Sequence, residues 1–288
     1  MKNKQADKWN NKGATYFIEG KWADAEKCFQ KAFELTPDNP TLLNNMGMLA
    51  HQKGAYKQAA ELYERANQNK ASPTYLVNMG NAHAMAGKFD LAKNAFLAAL
   101  ELLPQDEKAL LSLAKLAEHR GEVEEAKHYI QELNERVRSP KNRWELANFF
   151  YRQKHYNKAL NVLYPLVEEN PDSAIWLTIG RCEFFLQNFG LAEQALASAL
   201  KLDPVNGDNL HQMGLIFLAK NEYSPALQCL EKAVIQSPKN TIWRTDLALV
   251  LASMEKHEEA RKHLEQVLEI EPENEKAKKY HELIINKK

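Results

Sequence analysis

The 288-residue chain is 44% hydrophobic and 26% charged, with 38 Lys and Arg against 38 Asp and Glu, so it can bury a large core and carries no net charge that would draw it to nucleic acid or an anionic membrane. Cys28, Cys182 and Cys229 share no C-x-x-C spacing, which speaks against a disulfide framework or a zinc site and for a reducing compartment. No run approaches about 18 apolar residues and the start MKNKQADKWNN lacks the apolar core of a signal peptide, so the chain reads as soluble and cytoplasmic, with no membrane insertion.

From the N-terminus onward two amphipathic helical patterns alternate. An alanine recurs at Ala25, Ala59, Ala92, Ala126, Ala159, Ala192, Ala226 and Ala260, at separations of 33 or 34 residues. Twelve residues earlier runs a second small column, Gly13, Gly47, Gly80, Ala114, Ala147, Gly180, Gly214 and Ala248. Two small columns imply two helices in close contact, since a bulkier side chain would hold the axes apart at about 1 to 3 kcal/mol. Four residues after each column alanine stands a large knob, from Phe29, Tyr63 and Phe96 through Ile130 to Leu163, Leu196, Leu230 and Leu264. Prolines mark the boundaries between copies, and Gly20, Gly54, Gly87 and Gly121 supply turns of positive φ within them. Length alone suggests about two domains, but the register makes one array, with copies at 6–39, 40–72, 73–106, 107–139, 140–172, 173–206, 207–240 and 241–274.

In the first copy Trp9, Gly13, Tyr16, Ala25, Phe29 and Pro37 follow the pattern W-x2-L-G-x2-Y, A-x3-F, P, and the chain thereby resembles the tetratricopeptide repeat over residues 6–274. The resemblance implies an all-α fold, a right-handed superhelical solenoid of eight helix-turn-helix units. Residues 275–288 add one more helix that reads as a solubilising cap, whereas nothing comparable precedes the first copy, whose apolar edge is expected to be exposed or covered by a partner. Pro165, inside the second helix of copy five, predicts a kink. Ser224 before Pro225 reads as an N-cap.

No catalytic motif is present. Nine histidines are dispersed without metal-ligand spacing, and no phosphate-binding glycine loop or nucleophile elbow occurs, so no enzyme, metal or cofactor is expected. Binding is more informative. In the family, positions 2, 6, 9 and 13 of each first helix, with neighbours 5 and 12, line a concave groove. Carried over, position 6 holds Asn11, Asn45 and Asn78, and Asn81 lies on the same stripe; an amide can pair with the backbone of an extended peptide whatever its sequence. The middle copies contribute Lys108, Lys115, Lys141, Arg152 and Arg181 against Glu118 and Glu145, a basic stretch suited to acidic side chains or a terminal carboxylate. Trp144, Asn148, Tyr151, Phe184 and Phe185 stand beside them. The amides also read as solvated residues or caps, and the cations and aromatics as surface and inter-helix packing; the sequence leaves both readings open. No three consecutive copies supply the lysines, asparagines and arginine with which chaperone-binding members clamp paired carboxylates.

The expected function is a non-enzymatic adaptor that holds a protein or peptide segment, an acidic one suiting the basic stretch, in its groove. The alternative is a self-assembling structural scaffold that docks through its N-terminal repeat.

Overall fold

The computed structural model describes residues 2–285, and every regular element among them is an α-helix. The helices come in pairs: α1 (Lys2–Ile18) with α2 (Trp22–Leu35), α3 (Pro40–Gln52) with α4 (Tyr56–Asn69), α5 (Pro73–Met85) with α6 (Phe89–Leu102), and α7 (Glu107–His119) with α8 (Val123–Arg136). There follow α9 (Pro140–Arg152) with α10 (Tyr156–Glu169), α11 (Ser173–Phe185) with α12 (Phe189–Leu202), α13 (Gly207–Ala219) with α14 (Tyr223–Gln236), α15 (Thr241–Ser253) with α16 (His257–Ile270), and a last helix α17 (Glu275–Ile285). The chain is an all-α solenoid, and its described residues form two compact units divided between Asn142 and Arg143.

The two small columns are the reason the pairs close. All eight column alanines, Ala25 through Ala260, are fully buried, and every knob from Phe29 to Leu264 is at most 2% exposed. In the five copies whose small residue is glycine, the knob lies directly on it. A Cβ built on Gly13 would stand 2.6 Å from the Phe29 ring, on Gly47 2.7 Å from Tyr63, on Gly80 2.4 Å from Phe96, on Gly180 2.7 Å from Leu196 and on Gly214 2.6 Å from Leu230. The three aromatic knobs therefore all face glycine, whereas the copies with alanine in the first helix, at Ala114, Ala147 and Ala248, carry the smaller Ile130, Leu163 and Leu264. In unit one Phe29 packs with Ala25, Ala32, Leu42 and Leu49, and Tyr63 with Leu43, Ala59 and Ala66. In unit two Leu196 packs with Met213 and Ile216, and Leu230 and Leu264 with Trp243, Leu247 and Val250.

Each turn within a pair is a Schellman cap. In copy one the Gly20 N–H donates to the Phe17 carbonyl at 3.1 Å and the Lys21 N–H to the Tyr16 carbonyl at 2.9 Å. The residue in the left-handed region is Gly20, Gly54, Gly87 or Gly121 in the first four copies, and Lys154, Gln187, Asn221 or Glu255, at φ 58° to 62°, in the last four. The geometry is constant while the residue changes from glycine to Asn221, which tolerates it, and to Lys154, Gln187 and Glu255, which resist it.

First helices are capped by side chains: Asn39, Asp106, Asn206 and Asn240 accept from the backbone N–H of Leu42, Ala109, Asn209 and Trp243 at 2.8 to 3.1 Å. Second helices start straight out of the Schellman turn and have no such cap. This corrects the expectation for Ser224. The bond from Glu222 N–H to the Phe217 carbonyl at 2.8 Å fixes Glu222 as the N-cap, and Ser224 falls inside the first turn of α14. Pro225 does lie in that turn, where its missing N–H costs nothing. Helix α10 runs unbroken through Pro165 to Glu169, with the following Leu166 and Val167 buried. On α17, Ala277 is fully buried, and Tyr280 and Ile284 pack on the cluster that runs from α13 to α16.

Candidate peptide-binding site

Unit one holds four of the amides, Asn11, Asn45, Asn78 and Asn81, and three of the cations, Lys108, Lys115 and Lys141. Two of the asparagines at position 6, Asn45 and Asn78, are not independent rungs, because each is bonded to the asparagine at position 5 of the copy before. The Asn45 amide donates to Asn10 Oδ1 at 2.9 Å, and the Asn78 amide donates to Asn44 Oδ1 at 2.9 Å. Asn10 and Asn44 are buried, whereas Asn11 is exposed and takes no part in these rungs. Each rung uses one of the two donor hydrogens of Asn45 or Asn78, so the amides are held in a fixed orientation across the copy boundary with donor capacity left. The sequence signal for this lies one column away, in the asparagines at position 5. Asn81 sits half-buried nearly one turn beyond Asn78 on α5.

Asn78 also lines an open cleft of about 420 Å³ at the N-terminal ends of α5, α7 and α9. Lys108 and Lys141 stand on its rim, and Val77, Leu103 and Leu111 give it apolar surface. Neither lysine, nor the exposed Lys115 on α7, makes an ion pair with a described residue. Two carboxylates share the rim, but Asp106 is directed to the α7 backbone, accepting from Ala109 N–H at 2.8 Å, and Glu107 sits in the first turn of that helix, where the helix dipole favours it. Asn142 is fixed below by donating its amide to the Val137 carbonyl at 2.9 Å, while its backbone N–H is capped by Ser139 Oγ at 3.1 Å. The cleft can therefore offer two lysines, an oriented amide and an apolar floor to one segment. Thr74, Val77, Leu103, Gln105 and Leu111 were not legible as site residues, since they are spread over two helices and a loop.

Unit two holds the aromatic set. Trp144, Asn148 and Tyr151 share one face of α9 by their spacing, and all are half-buried. Phe185, 51% exposed, lies parallel to Tyr156 at 5.0 Å between ring centroids and tilted against Tyr151 at 6.3 Å. Burial pushes the Tyr151 phenol above its ordinary pKa, with the positive charge of Arg181 pulling the other way. Arg181 is paired with Asp208 Oδ1 at 3.4 Å, so its charge is partly committed; Arg152 is exposed and also engaged by a neighbour.

Toward the C-terminus the stripe closes. Gln212 and Asp246 at position 6 are buried. His211 Nε2 lies 2.9 Å from Asp246 Oδ2 and stacks on Trp243 at 5.5 Å, while Lys276 of α17 donates to Asp246 Oδ1 at 2.9 Å. Burial alone would raise the Asp246 pKa, but the hydrogen bonds from His211 and Lys276 outweigh it and hold the carboxyl below its ordinary value. This stretch has the same link between position 5 and position 6 as the asparagine rungs, and it serves packing rather than an open face.

Paired helices repeated at one spacing, with amides on the first helices of copies two and three oriented by bonds to the copy before, define a helical-repeat solenoid. Tetratricopeptide repeat models match residues 4–70, 77–133, 173–206 and 217–281, and the chain belongs to the tetratricopeptide-repeat family. It is similar to BBSome complex member BBS4 of Bos taurus, 25% identical over 273 residues, covering 92% of this chain and 52% of that one. It is also similar to RNA polymerase-associated protein CTR9 of Caenorhabditis elegans, 24% identical over 250 residues, covering 82% of this chain and 21% of that one. The chain thus spans about half the length of BBS4 and a fifth of that of CTR9. Among solved structures the APC/C hetero-tetramer Cut9-Hcn1 superposes with a TM-score of 0.63 at 17% identity, covering 95% of this chain and 54% of the matched one, a likeness of fold alone. No helix among the described residues is long and apolar enough to cross a membrane.

Proposed function

We propose that the chain is a non-enzymatic interaction scaffold that holds an extended, acidic segment of a partner protein on the first-helix face of unit one. One observation carries this reading: a cleft of about 420 Å³ gathers Asn78, Lys108 and Lys141, and neither lysine forms an ion pair with a described residue. Carboxylates of a ligand supply the missing counter-charges, the apolar floor of Val77, Leu103 and Leu111 takes an intervening side chain, and Asn45 and Asn78 pair with its backbone. BBS4 is by name a complex member and CTR9 a polymerase-associated protein, which supports a scaffold role at the level of class. Three unpaired cysteines favour a reducing, cytoplasmic setting.

The test uses fluorescence anisotropy of the whole chain against labelled peptides of equal length that are acidic, neutral or basic. The acidic peptide is expected to bind best, with an affinity that falls as salt is raised. Lys108→Glu with Lys141→Glu should weaken it by about tenfold or more and flatten the salt dependence. Equal binding of the basic peptide, or an unchanged affinity in the double variant, removes the proposal.

A further inference from the structure

Positions 3, 7 and 10 of a first helix lie on one face, and in copies two, three and seven that face is covered by the copy before. Leu42, Met46 and Leu49 of α3 lie in one cluster with Ala25, Phe29 and Ala32 of α2. Tyr75, Met79 and Ala82 of α5 lie in one cluster with Ala59, Tyr63 and Ala66 of α4. Met213 and Ile216 of α13 do the same with Ala192 and Leu196 of α12. In copy one the three positions hold Lys8, Lys12 and Thr15, and Lys4 continues the stripe one turn earlier; all four are exposed. The stacking face of the first copy is thus cationic, not the apolar edge expected of it.

The charge on this face is not balanced within the chain. Lys4, Lys8 and Lys12 form no ion pair with a described residue, and Asp7, the one acidic residue of α1, pairs with none of them. Lysines four apart on a helix repel each other, and cations near a helix N-terminus oppose its dipole. A solubilising end needs neither. On α17, at the other end, Glu275 sits in the first turn, while Lys276 and Lys278 are paired with Asp246 and Glu273. The face of α1 also has an apolar base. Lys12 Nζ stands 5.6 Å from the ring centroids of both Trp9 and Tyr16, and Lys31 Nζ, from α2, stands 4.4 Å from that of Trp9. Lys31 is exposed and likewise forms no ion pair with a described residue.

We propose that this face of α1, Lys4, Lys8 and Lys12 with Lys31 beside them, docks an acidic helix of a partner protein. The corresponding face of α3, α5 and α13 is filled by a helix, which gives the seat its shape. The unbalanced lysines give the occupant its charge: Asp or Glu repeated four residues apart, with apolar side chains between them to meet the lysine stems. The face shares no residue with the Asn78 cleft, so either site can fail without the other.

The test is fluorescence anisotropy of the whole chain with an alanine-based helical peptide of about 18 residues, long enough to fold alone, carrying Glu at every fourth position, and with its counterpart carrying Lys there. The Glu peptide is expected to bind, with an affinity that falls as salt is raised. Lys8→Glu with Lys12→Glu should weaken it about tenfold or more, and the Lys peptide should then bind that variant better than the parent. Lys108→Glu with Lys141→Glu should leave the Glu helix bound, which separates this face from the cleft. Lys8 and Lys12 are exposed, so circular dichroism and melting of their variant should match the parent. Equal binding of the two peptides, an affinity unchanged by Lys8→Glu with Lys12→Glu, or one abolished by the cleft variant instead overturns the proposal. So does capture by vesicles of phosphatidylcholine and phosphatidylserine in equal parts that depends on Lys8 and Lys12 while the Glu helix fails to bind; the face is then a membrane seat.

Discussion

Replacing Gly80 with alanine puts the contact between the two helices of a pair to a direct test. The new Cβ would lie 2.4, 2.7 and 2.9 Å from three carbons of the Phe96 ring, whereas carbons rest at about 3.5 to 4.0 Å. Phe96 is only 1% exposed and cannot swing aside, so the clash has to be absorbed by shifting α5 from α6, at about 1 to 3 kcal/mol. Alanine is a better helix former than glycine by about 0.5 to 1 kcal/mol, which offsets part of this. The net expectation is a loss of roughly 0.5 to 2 kcal/mol, read from urea denaturation followed by circular dichroism. The copies that carry alanine at this position face Ile130, Leu163 or Leu264, so Phe96→Leu should relieve the clash. Phe96→Leu alone opens a void and costs about 1 to 2 kcal/mol, but combined with Gly80→Ala it should cost at least about 1 kcal/mol less than the sum. A stabilised Gly80→Ala variant, or strict additivity in the double variant, would refute the packing argument.

Three further outcomes follow from the structure. Lys154→Gly and Glu255→Gly relieve left-handed side chains and should each stabilise unit two by up to about 1 kcal/mol in a melting experiment, whereas Gly54→Ala, at φ 77°, should destabilise by a similar amount. Burial lowers the pKa of His51, of His83 with help from Lys88, and of His263 with help from Arg244. Groups held neutral in this way contribute stability that is complete above the unfolded value of about 6.5 and is lost as pH falls through their folded values, so the melting temperature should drop between about pH 7 and pH 5; a flat or rising profile contradicts this. Burial, and next the Glu183 carboxylate, push the Cys182 thiol up to about 12, so Cys182 should resist alkylation in the native chain and react only on unfolding.

The architecture was readable because every packing column is repeated. One Gly facing one Phe is a weak signal, but Gly13 with Phe29, Gly47 with Tyr63 and Gly80 with Phe96 at one spacing leave two close helices as the economical reading. What escaped depended on partners in neighbouring copies. Asn45 and Asn78 were legible as polar residues recurring at position 6 of their copies, but their bonds to Asn10 and Asn44 join two different columns across a boundary. The burial of Asp246 likewise depends on His211 and on Lys276, which lie 35 and 30 residues away in sequence. Ser224 looked like a cap because Ser-Pro often begins a helix, yet the start of α14 is set by the turn before it. The turns of copies five to eight could not be found by looking for glycine, because Lys154, Gln187, Asn221 and Glu255 hold the same conformation under the constraint of the Schellman bonds.

Those eight turns have a thermal consequence. Glycine at Gly20, Gly54, Gly87 and Gly121 sits in its native conformation without strain but enlarges the freedom of the unfolded chain, an entropic penalty that grows with temperature. A side chain forced into the same conformation at Lys154, Gln187 and Glu255 carries mainly steric strain, which varies little with temperature. At the level of these turns, warming therefore works against the first four copies more than against the last four. Two halves with the same fold accordingly differ in how their stability responds to heat, and amide exchange recorded at several temperatures would resolve the difference turn by turn.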